Sequence, residues 1–323
     1  MRILIAMPHF FAPRDTAPVD RPRYGADRTP EKTRIAVVQH CLDSLYSTSI
    51  AARYELDIST RLVGEKILRT KPRHRIDLVL CVRDPAHLIS DLHLPPRTKV
   101  VGSRVEPRSL GFRCHKAMAE RCDDYDLFGY LEDDLAITDP MFFDKIDWFN
   151  RSFGDDYVLQ PNRYERIAAR GGLKVYVDGE IPDMARRVLP HQFDGTRVTA
   201  NVLGRDIVFE GKTNPMAGCF FLTRAQLKRW MADPEFGQPI VNYFSPPECA
   251  QMLGPAKHFT IVKPIGGDSD FLELRHLDPR LTRLKTPLAA LREAVPADEK
   301  RVRVRLDPEK GAAKKAAKKA SEA

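Results

Sequence analysis

The chain has 323 residues, of which 43% are hydrophobic, and its formal net charge is +8 at pH 7. It contains no run close to the roughly 18 apolar residues that a membrane-spanning helix needs. Its six cysteines form no C-x-x-C pair, which argues against a zinc site or a disulfide framework. Residues 300–323 hold nine Lys and Arg against three acidic residues, so the basicity belongs mainly to the tail and predicts no specific binding of nucleic acid.

Residues 2–7 are apolar and predict a buried first strand. This stretch is too short for a signal peptide, so the expected location is the cytoplasm. A proline-rich segment, 12–33, interrupts regular structure. A helix should follow, because apolar residues then recur at helical spacing: Ile35, Val38, Cys41, Leu42 and Leu45.

Further strands are predicted at 76–82, 100–101 and 126–131, with a helix over 110–121 between the last two. The strand at 126–131 runs directly into Glu132-Asp133-Asp134. Strands alternating with helices predict an α/β fold with a mainly parallel sheet and helices on both faces. In such sheets ligands bind beyond the carboxyl ends of the strands, which is where this acidic turn should lie.

The second half predicts a small antiparallel insertion at 173–177 and 198–209, then strands at 219–222 and 259–262. Thr223 should cap a helix over Arg224–Met231. We expect one domain over 1–285, with a nucleotide-binding half (1–150) and an acceptor or catalytic half (151–285). A short helix from about residue 286 should lead into a basic, largely disordered tail that ends at residue 323.

Three consecutive carboxylates repel one another, and a divalent cation would remove that repulsion. Mg²⁺ or Mn²⁺ fits this ligand type and commonly binds substrate phosphates as well. The chemistry that matches is departure of a diphosphate, whose growing charge the metal neutralises. A solvated surface turn is the alternative interpretation.

Residues 128–137, which contain the acidic turn, resemble the D-x-D-type turn of GT-A glycosyltransferases in an E-D-D form. Segments 214–223 and 271–276 are similar to later elements of that family, and the resemblance covers about residues 1–280. It implies a GT-A Rossmann-like fold, a nucleotide-sugar donor, and a glycan or lipid-linked acceptor. A Mn²⁺ or Mg²⁺ cofactor is also implied.

The resemblance also implies roles for individual residues. Asp134 would bind the metal, with His276 as a second ligand, and Asp133 or Glu132 would reach the ribose or act through water. Gly218 would border donor and acceptor. Cations near the donor would come from Arg113 and Lys116.

An inverting transfer needs a carboxylate base, and Glu248 lies where the family places it. Asp268 and Asp270 are reserve candidates for the base, and they form a literal D-x-D that is an alternative metal site. Phe10 or Phe11 would pack against the nucleotide base, with packing in the core as the alternative, and Asp84 would contact the base or the ribose. Retaining stereochemistry stays open.

Other functions remain alternatives. A metal-dependent nucleotidyltransferase or phosphodiesterase would use the same carboxylates, although Met7–Phe11 lacks the glycines that a triphosphate loop usually has. A non-catalytic nucleotide-sugar-binding module is the third possibility, and its basic tail could hold an anionic membrane surface or nucleic acid. Attraction to a membrane would suit a lipid-linked acceptor and would place the protein at the inner membrane face. The chain contains no G-x-G-x-x-G, P-loop or G-x-S-x-G motif.

Overall fold

The computed structural model describes residues 1–12, 29–49, 52–69, 73–167, 173–179, 188–211, 214–239 and 245–278. Most of the proline-rich segment, the helix predicted near residue 286 and the basic tail lie outside these ranges. None of the helices within them is long and apolar enough to cross a membrane.

The strands, in chain order, are β1 Arg2–His9, β2 Ala52–Asp57, β3 Leu62–Arg69, β4 Arg75–Arg83, β5 Thr98–Ser103, β6 Leu127–Leu131, β7 Leu135–Ala136, β8 Tyr157–Leu159, β9 Asn162–Ile167, β10 Leu173–Tyr176, β11 Arg197–Val202, β12 Arg205–Gly211, β13 Cys219–Thr223, β14 Thr260–Pro264 and β15 Glu273–His276.

The α-helices are α1 Glu31–Ser47, α2 Leu110–Ala119, α3 Phe142–Phe153 and α4 Arg224–Met231. A fifth helical segment, α5, runs without a break through Pro246–Glu248, the π-helical Cys249–Leu253 and Gly254–His258. Short 3₁₀ turns occur at Ile89–Asp91, Pro107–Ser109, Pro190–Phe193 and Gly266–Asp268.

The central sheet has the strand order β13-β6-β1-β4-β5. β6, β1, β4 and β5 are parallel to their neighbours, and β13 is antiparallel to β6. β1 and β4 are buried along almost their whole length, as expected for parallel strands covered on both faces. The predicted mainly parallel α/β sheet is confirmed.

Helices cover both faces of this sheet. On one face α1 and α3 pack against the side chains of Ile3, Ile5 and Met7. On the other face α2, α4 and α5 pack against Leu4 and Ala6. The apolar stripe predicted for α1 is the stripe that it buries: Val38, Cys41, Leu42 and Leu45.

The order of the strands opens a crevice between β1 and β6. After β1 the chain crosses through α1 to β4 and continues to β5, on one side of β1. It then returns through α2 to β6, on the other side. Because the two crossovers leave β1 in opposite directions, the carboxyl ends of β1 and β6 form a topological switch point, where open α/β sheets bind ligands.

Two smaller mixed sheets extend the fold, in the orders β10-β9-β15-β7 and β11-β12-β14-β8. They contain the antiparallel pairs β9–β10 and β11–β12, so the predicted antiparallel insertion is confirmed. β15 pairs antiparallel with β7, and this register sets His276 opposite Leu135. A residue from the last described strand thereby reaches the acidic turn.

The sequence did not predict α3, β8 and β9, nor the antiparallel hairpin that β2 and β3 form between α1 and β4. The side chains of this hairpin include large apolar groups that are mostly exposed to solvent: Tyr54, Leu56, Ile58, Leu62 and Val63. The predicted cap of α4 is confirmed, since Thr223 forms a capping box with Gln226.

Candidate functional site

A cleft opens at the switch point between β1 and β6. The end of β1 contributes His9 and Phe10, and the turn after β6 contributes Glu132, Asp133 and Asp134. Other lining residues come from the first turn of α1, the start of α2 and the start of α5: Arg34, Pro107, Arg108, Leu110, Gly111 and Pro247. The predicted acidic turn therefore lies in a cleft that also contains cationic and aromatic side chains.

Asp133 is held by two neighbours and is almost fully buried. Its Oδ2 accepts a hydrogen bond from His9 Nδ1 at 2.7 Å, and its Oδ1 pairs with the Arg34 guanidinium. His9 Nε2 accepts a hydrogen bond from the Leu88 amide at 3.0 Å, so the ring proton must be on Nδ1. This tautomer makes His9 a donor that fixes the orientation of the Asp133 carboxylate.

Arg34 stays charged in this setting. Burial by itself would lower the pKa of the guanidinium, but the charges of Asp133 and Asp134 outweigh it, and the pKa is raised above its usual value. Arg34 therefore supplies part of the neutralisation that the sequence assigned to a metal ion.

Asp134 faces His276, whose Nε2 is 3.4 Å from Asp134 Oδ2. The other ring nitrogen of His276, Nδ1, is 2.7 Å from Oε1 of the fully buried Glu165. Burial would lower the pKa of His276, but Asp134 and Glu165 outweigh it and raise the pKa to about 9. Without a bound cation, the imidazolium of His276 thus offsets the charge of Asp134.

Glu132 is half-buried and packs against Gly218. Burial, together with the charge of Asp134, raises the pKa of Glu132 to about 7. Gly218 has a φ of +68°, and a Cβ placed there would lie 2.6 Å from Glu132 Oε2. The Glu132 amide also donates to the Gly218 carbonyl at 2.9 Å. Only glycine meets both the backbone conformation and this close approach without strain.

Several predicted site residues do not line the cleft. Glu248 follows Pro247 at the start of α5, and its Oε2 is buried with no hydrogen-bond partner in the described ranges. Asp84 is half-exposed and lies beside Gly102 and His87. Arg113 is half-buried on α2, and Lys116 on the same helix is exposed. The role of Glu248 as a base and the contacts of Asp84, Arg113 and Lys116 with a donor stay predictions.

The alternative D-x-D lies on a different part of the surface. Asp268 pairs with Arg205 of β12, and Asp270 is exposed. Neither residue lines the cleft, whereas all three residues of the acidic turn do.

The sequence analysis missed four residues that shape the site: His9, Arg34, Arg108 and Glu165. For Arg34 a signal was present. It precedes Val38 by four positions and Cys41 by seven, so it occupies the apolar stripe of α1. A charged residue on a core-facing stripe is rarely buried without a partner, which marks it as a candidate for an ion pair. The pairing of His276 with Glu165 left no comparable signal.

Within the described ranges, no group of three or more His, Cys, Asp and Glu side chains has the arrangement of a metal site. Asp134 and His276, the two ligands that the family resemblance implies, lie next to each other, and their role as ligands stays a prediction. Mg²⁺ in enzymes is often held by only one or two protein carboxylates, with substrate phosphates and water completing the shell. Such a site would be complete only when substrate is bound.

No family model matches the chain, and no curated protein matches it. Among solved structures it is similar to CMP:2-keto-3-deoxy-manno-octonic acid synthetase complexed with CTP, at 13% identity and a TM-score of 0.32, over 73% of this chain and 79% of that one. It is also similar to A197 from STIV, at 13% identity and a TM-score of 0.32, over 82% of this chain and 84% of that one. Likenesses this weak identify neither a family nor an activity.

Proposed function

We propose that this protein is a glycosyltransferase that moves a sugar from a nucleotide-diphosphate sugar to a hydroxyl group of a glycan or lipid-linked acceptor. One observation carries the proposal, namely that the acidic turn lies in a cleft at the switch point of the parallel sheet. Nucleotides bind at this place in open α/β sheets. The cleft also contains Phe10, an aromatic ring that can pack on a nucleotide base.

Asp134 and His276 are the residues that would hold a divalent cation. Two ligands of an octahedral ion are about 3 Å apart when each is about 2.1 Å from the metal. The 3.4 Å between Asp134 Oδ2 and His276 Nε2 is close to that spacing. The Glu165 carboxylate orients the ring through Nδ1, as second carboxylates commonly do for metal-binding histidines. When bound, the cation would neutralise the charge that develops on the departing diphosphate.

Glu248 is the residue that we propose as the base of an inverting transfer. It follows Pro247, which lines the cleft, and its Oε2 has no hydrogen-bond partner in the described part of the chain. A carboxylate oxygen without a donor keeps its lone pairs for an incoming proton, here that of the acceptor hydroxyl. The proton would move to Glu248 as the hydroxyl oxygen attacks the sugar carbon.

The test is turnover of UDP- and GDP-sugars with Mn²⁺ or Mg²⁺, with the products identified by mass. Release of a nucleoside diphosphate and a transferred sugar supports the proposal, whereas pyrophosphate would indicate nucleotidyl transfer instead. Asp134→Ala should abolish turnover. Asp268→Asn, in the alternative D-x-D, separates the two candidate sites. If Asp268→Asn abolishes turnover and Asp134→Ala does not, the cleft is not the active site.

We further propose that the basic tail, 300–323, holds the enzyme at an anionic membrane surface on the cytoplasmic side, near a lipid-linked acceptor. Its support is the clustering of nine basic residues against three acidic ones. Electrostatic attraction to anionic lipids grows with the number of Lys and Arg near the surface.

A further inference from the structure

Arg34 is bound differently from an arginine in an ordinary buried ion pair. Its side chain is only 8% exposed, yet it lines the cleft. In the described part of the chain, Asp133 is the only hydrogen-bond partner of its guanidinium, through Nη2, and the buried Nε has none. A guanidinium has five N–H donors, and leaving buried donors unsatisfied is costly.

We propose that Arg34 and Arg108 form a phosphate-binding site in the cleft, which takes the diphosphate of a nucleotide ligand. The inference rests on the proposed function and deepens it, because it assigns the phosphates to residues other than the acidic turn. Arginine suits this role, since its planar group can present paired N–H donors to phosphate oxygens.

The surrounding backbone favours an anion at the same place. α1 and α2 both begin at the cleft, and neither helix has a side chain that caps its N-terminus. Arg34 lies in the first turns of α1, and Arg108 immediately precedes α2. The partial positive charge of a helix N-terminus adds to the charge of the two arginines.

The carboxylates of the acidic turn repel an anion, but the cationic partners of two of them weaken this repulsion. Asp133 is already paired with Arg34, and His276 faces Asp134. Asp133 therefore serves to position Arg34, and His9 in turn fixes Asp133. A diphosphate would lie between the arginines and the cation site at Asp134.

Binding of inorganic pyrophosphate to the full-length protein, measured by titration calorimetry in EDTA and again in Mn²⁺, tests the site. In EDTA, Arg34→Met should weaken binding about 10- to 100-fold, the usual range for charged hydrogen bonds. Arg34→Lys should also weaken it, because an ammonium that pairs with Asp133 has no second planar edge to offer. Arg205→Met is the matched control, since it removes an arginine from an ion pair outside the cleft.

Wild-type affinity in Arg34→Met would overturn the inference. Should the Arg34 variants fail to fold, Arg108→Met decides, because Arg108 is half-buried in a surface turn. Weaker pyrophosphate binding in that variant supports the site, and unchanged binding overturns it. Loss of pyrophosphate binding in Arg34→Met without turnover of any nucleotide sugar would support the phosphate site and count against glycosyl transfer. Turnover with no measurable pyrophosphate binding would do the reverse.

Discussion

Two clusters of buried opposite charges in this protein differ in how completely they are satisfied. In the interior cluster, formed by Arg163, Asp178 and Lys263, Asp178 accepts two hydrogen bonds from Arg163 and one from Lys263 at 3.1 Å. Lys263 also donates to the Met216 carbonyl. In the cleft cluster of His9, Arg34 and Asp133, the carboxylate is hydrogen-bonded by both neighbours, but the buried Nε of the guanidinium has no partner in the described ranges.

The difference separates a structural role from a binding role. In the interior cluster, both cations hydrogen-bond the Asp178 carboxylate, so a ligand has no unsatisfied group to bind there. In the cleft cluster, the guanidinium of Arg34 keeps an unused N–H donor at a place that is open to solvent. We therefore expect changes in the interior cluster to lower stability, and changes in the cleft cluster to lower ligand binding.

The largest effect should come from Asp178→Asn. It leaves Arg163 and Lys263 buried without a carboxylate, and breaking a buried ion pair typically costs about 3–5 kcal/mol. Urea unfolding of the variant would measure the loss. Arg34→Met, in the cleft that is open to solvent, should lower the free energy of unfolding by clearly less. If the two variants lose equal stability, the contrast between the clusters does not hold.

A pH series extends the comparison to two buried histidines. His276, beside carboxylates, has a raised pKa, whereas burial lowers the pKa of His115 to about 4. Among the described residues, His115 has the Ala250 carbonyl as its one hydrogen-bond partner. The unfolded chain binds a proton on His115 below about pH 6.5, and the folded protein does not until about pH 4. In that window the unfolded state binds more protons, so stability falls as the pH falls.

The loss in the free energy of unfolding that is due to His115 should reach about 3 kcal/mol at pH 4. The free energy of unfolding from urea titrations between pH 7 and pH 4 would show it as a slope. His115→Gln keeps a side-chain donor for the Ala250 carbonyl and removes the titration, so its slope should be flatter. An unchanged slope would assign the acid sensitivity to other groups.

Gly218→Ala tests how the acidic turn is packed. The added methyl group meets Glu132 in a left-handed backbone conformation, and we expect a loss of about 2–3 kcal/mol in the free energy of unfolding. Gly195→Ala is the matched control, because Gly195 has a φ of +78° and open space where its Cβ would lie. The control should lose only about 1–2 kcal/mol. Equal losses would mean that the contact with Glu132 is unimportant.

The smallest effect on stability should follow deletion of 300–323. Unfolding in urea should be unchanged, because the body has its own core. Binding to vesicles that contain anionic lipid should fall, and this loss should shrink as salt is added. If the truncated protein binds anionic vesicles as well as the full chain does, the tail is not a membrane contact.

The sequence predicted the elements whose own pattern determines them. β1, β4 and β6 are short apolar runs, and α1 repeats its apolar residues at helical spacing, so burial alone identifies them. The position of the acidic turn followed from the rule that ligands bind beyond the carboxyl ends of parallel strands. These inferences needed only neighbouring residues.

Most of what the sequence did not predict depends on residues far apart in the chain. Helix α3 is the exception, because its buried residues recur at helical spacing. The hairpin of β2 and β3 leaves several large apolar groups in solvent, so no alternation of buried and exposed residues marks it. The pairs Arg34–Asp133 and His276–Glu165 each join distant segments, and spacing carries no record of such contacts. His276 was expected near the acidic turn only through the family resemblance, whereas its partner Glu165 was not expected at all.

The pairing of β15 with β7 has a consequence for the order of assembly during synthesis. The acidic turn and most of the central sheet are made early, but His276 lies on the last described strand. Until that strand emerges from the ribosome and docks, Asp134 lacks its imidazole neighbour. The nascent chain can therefore bury its first strands well before this pair has formed. If Asp134 and His276 hold the proposed cation, cation-dependent binding should appear only after residue 276 has left the ribosomal exit tunnel.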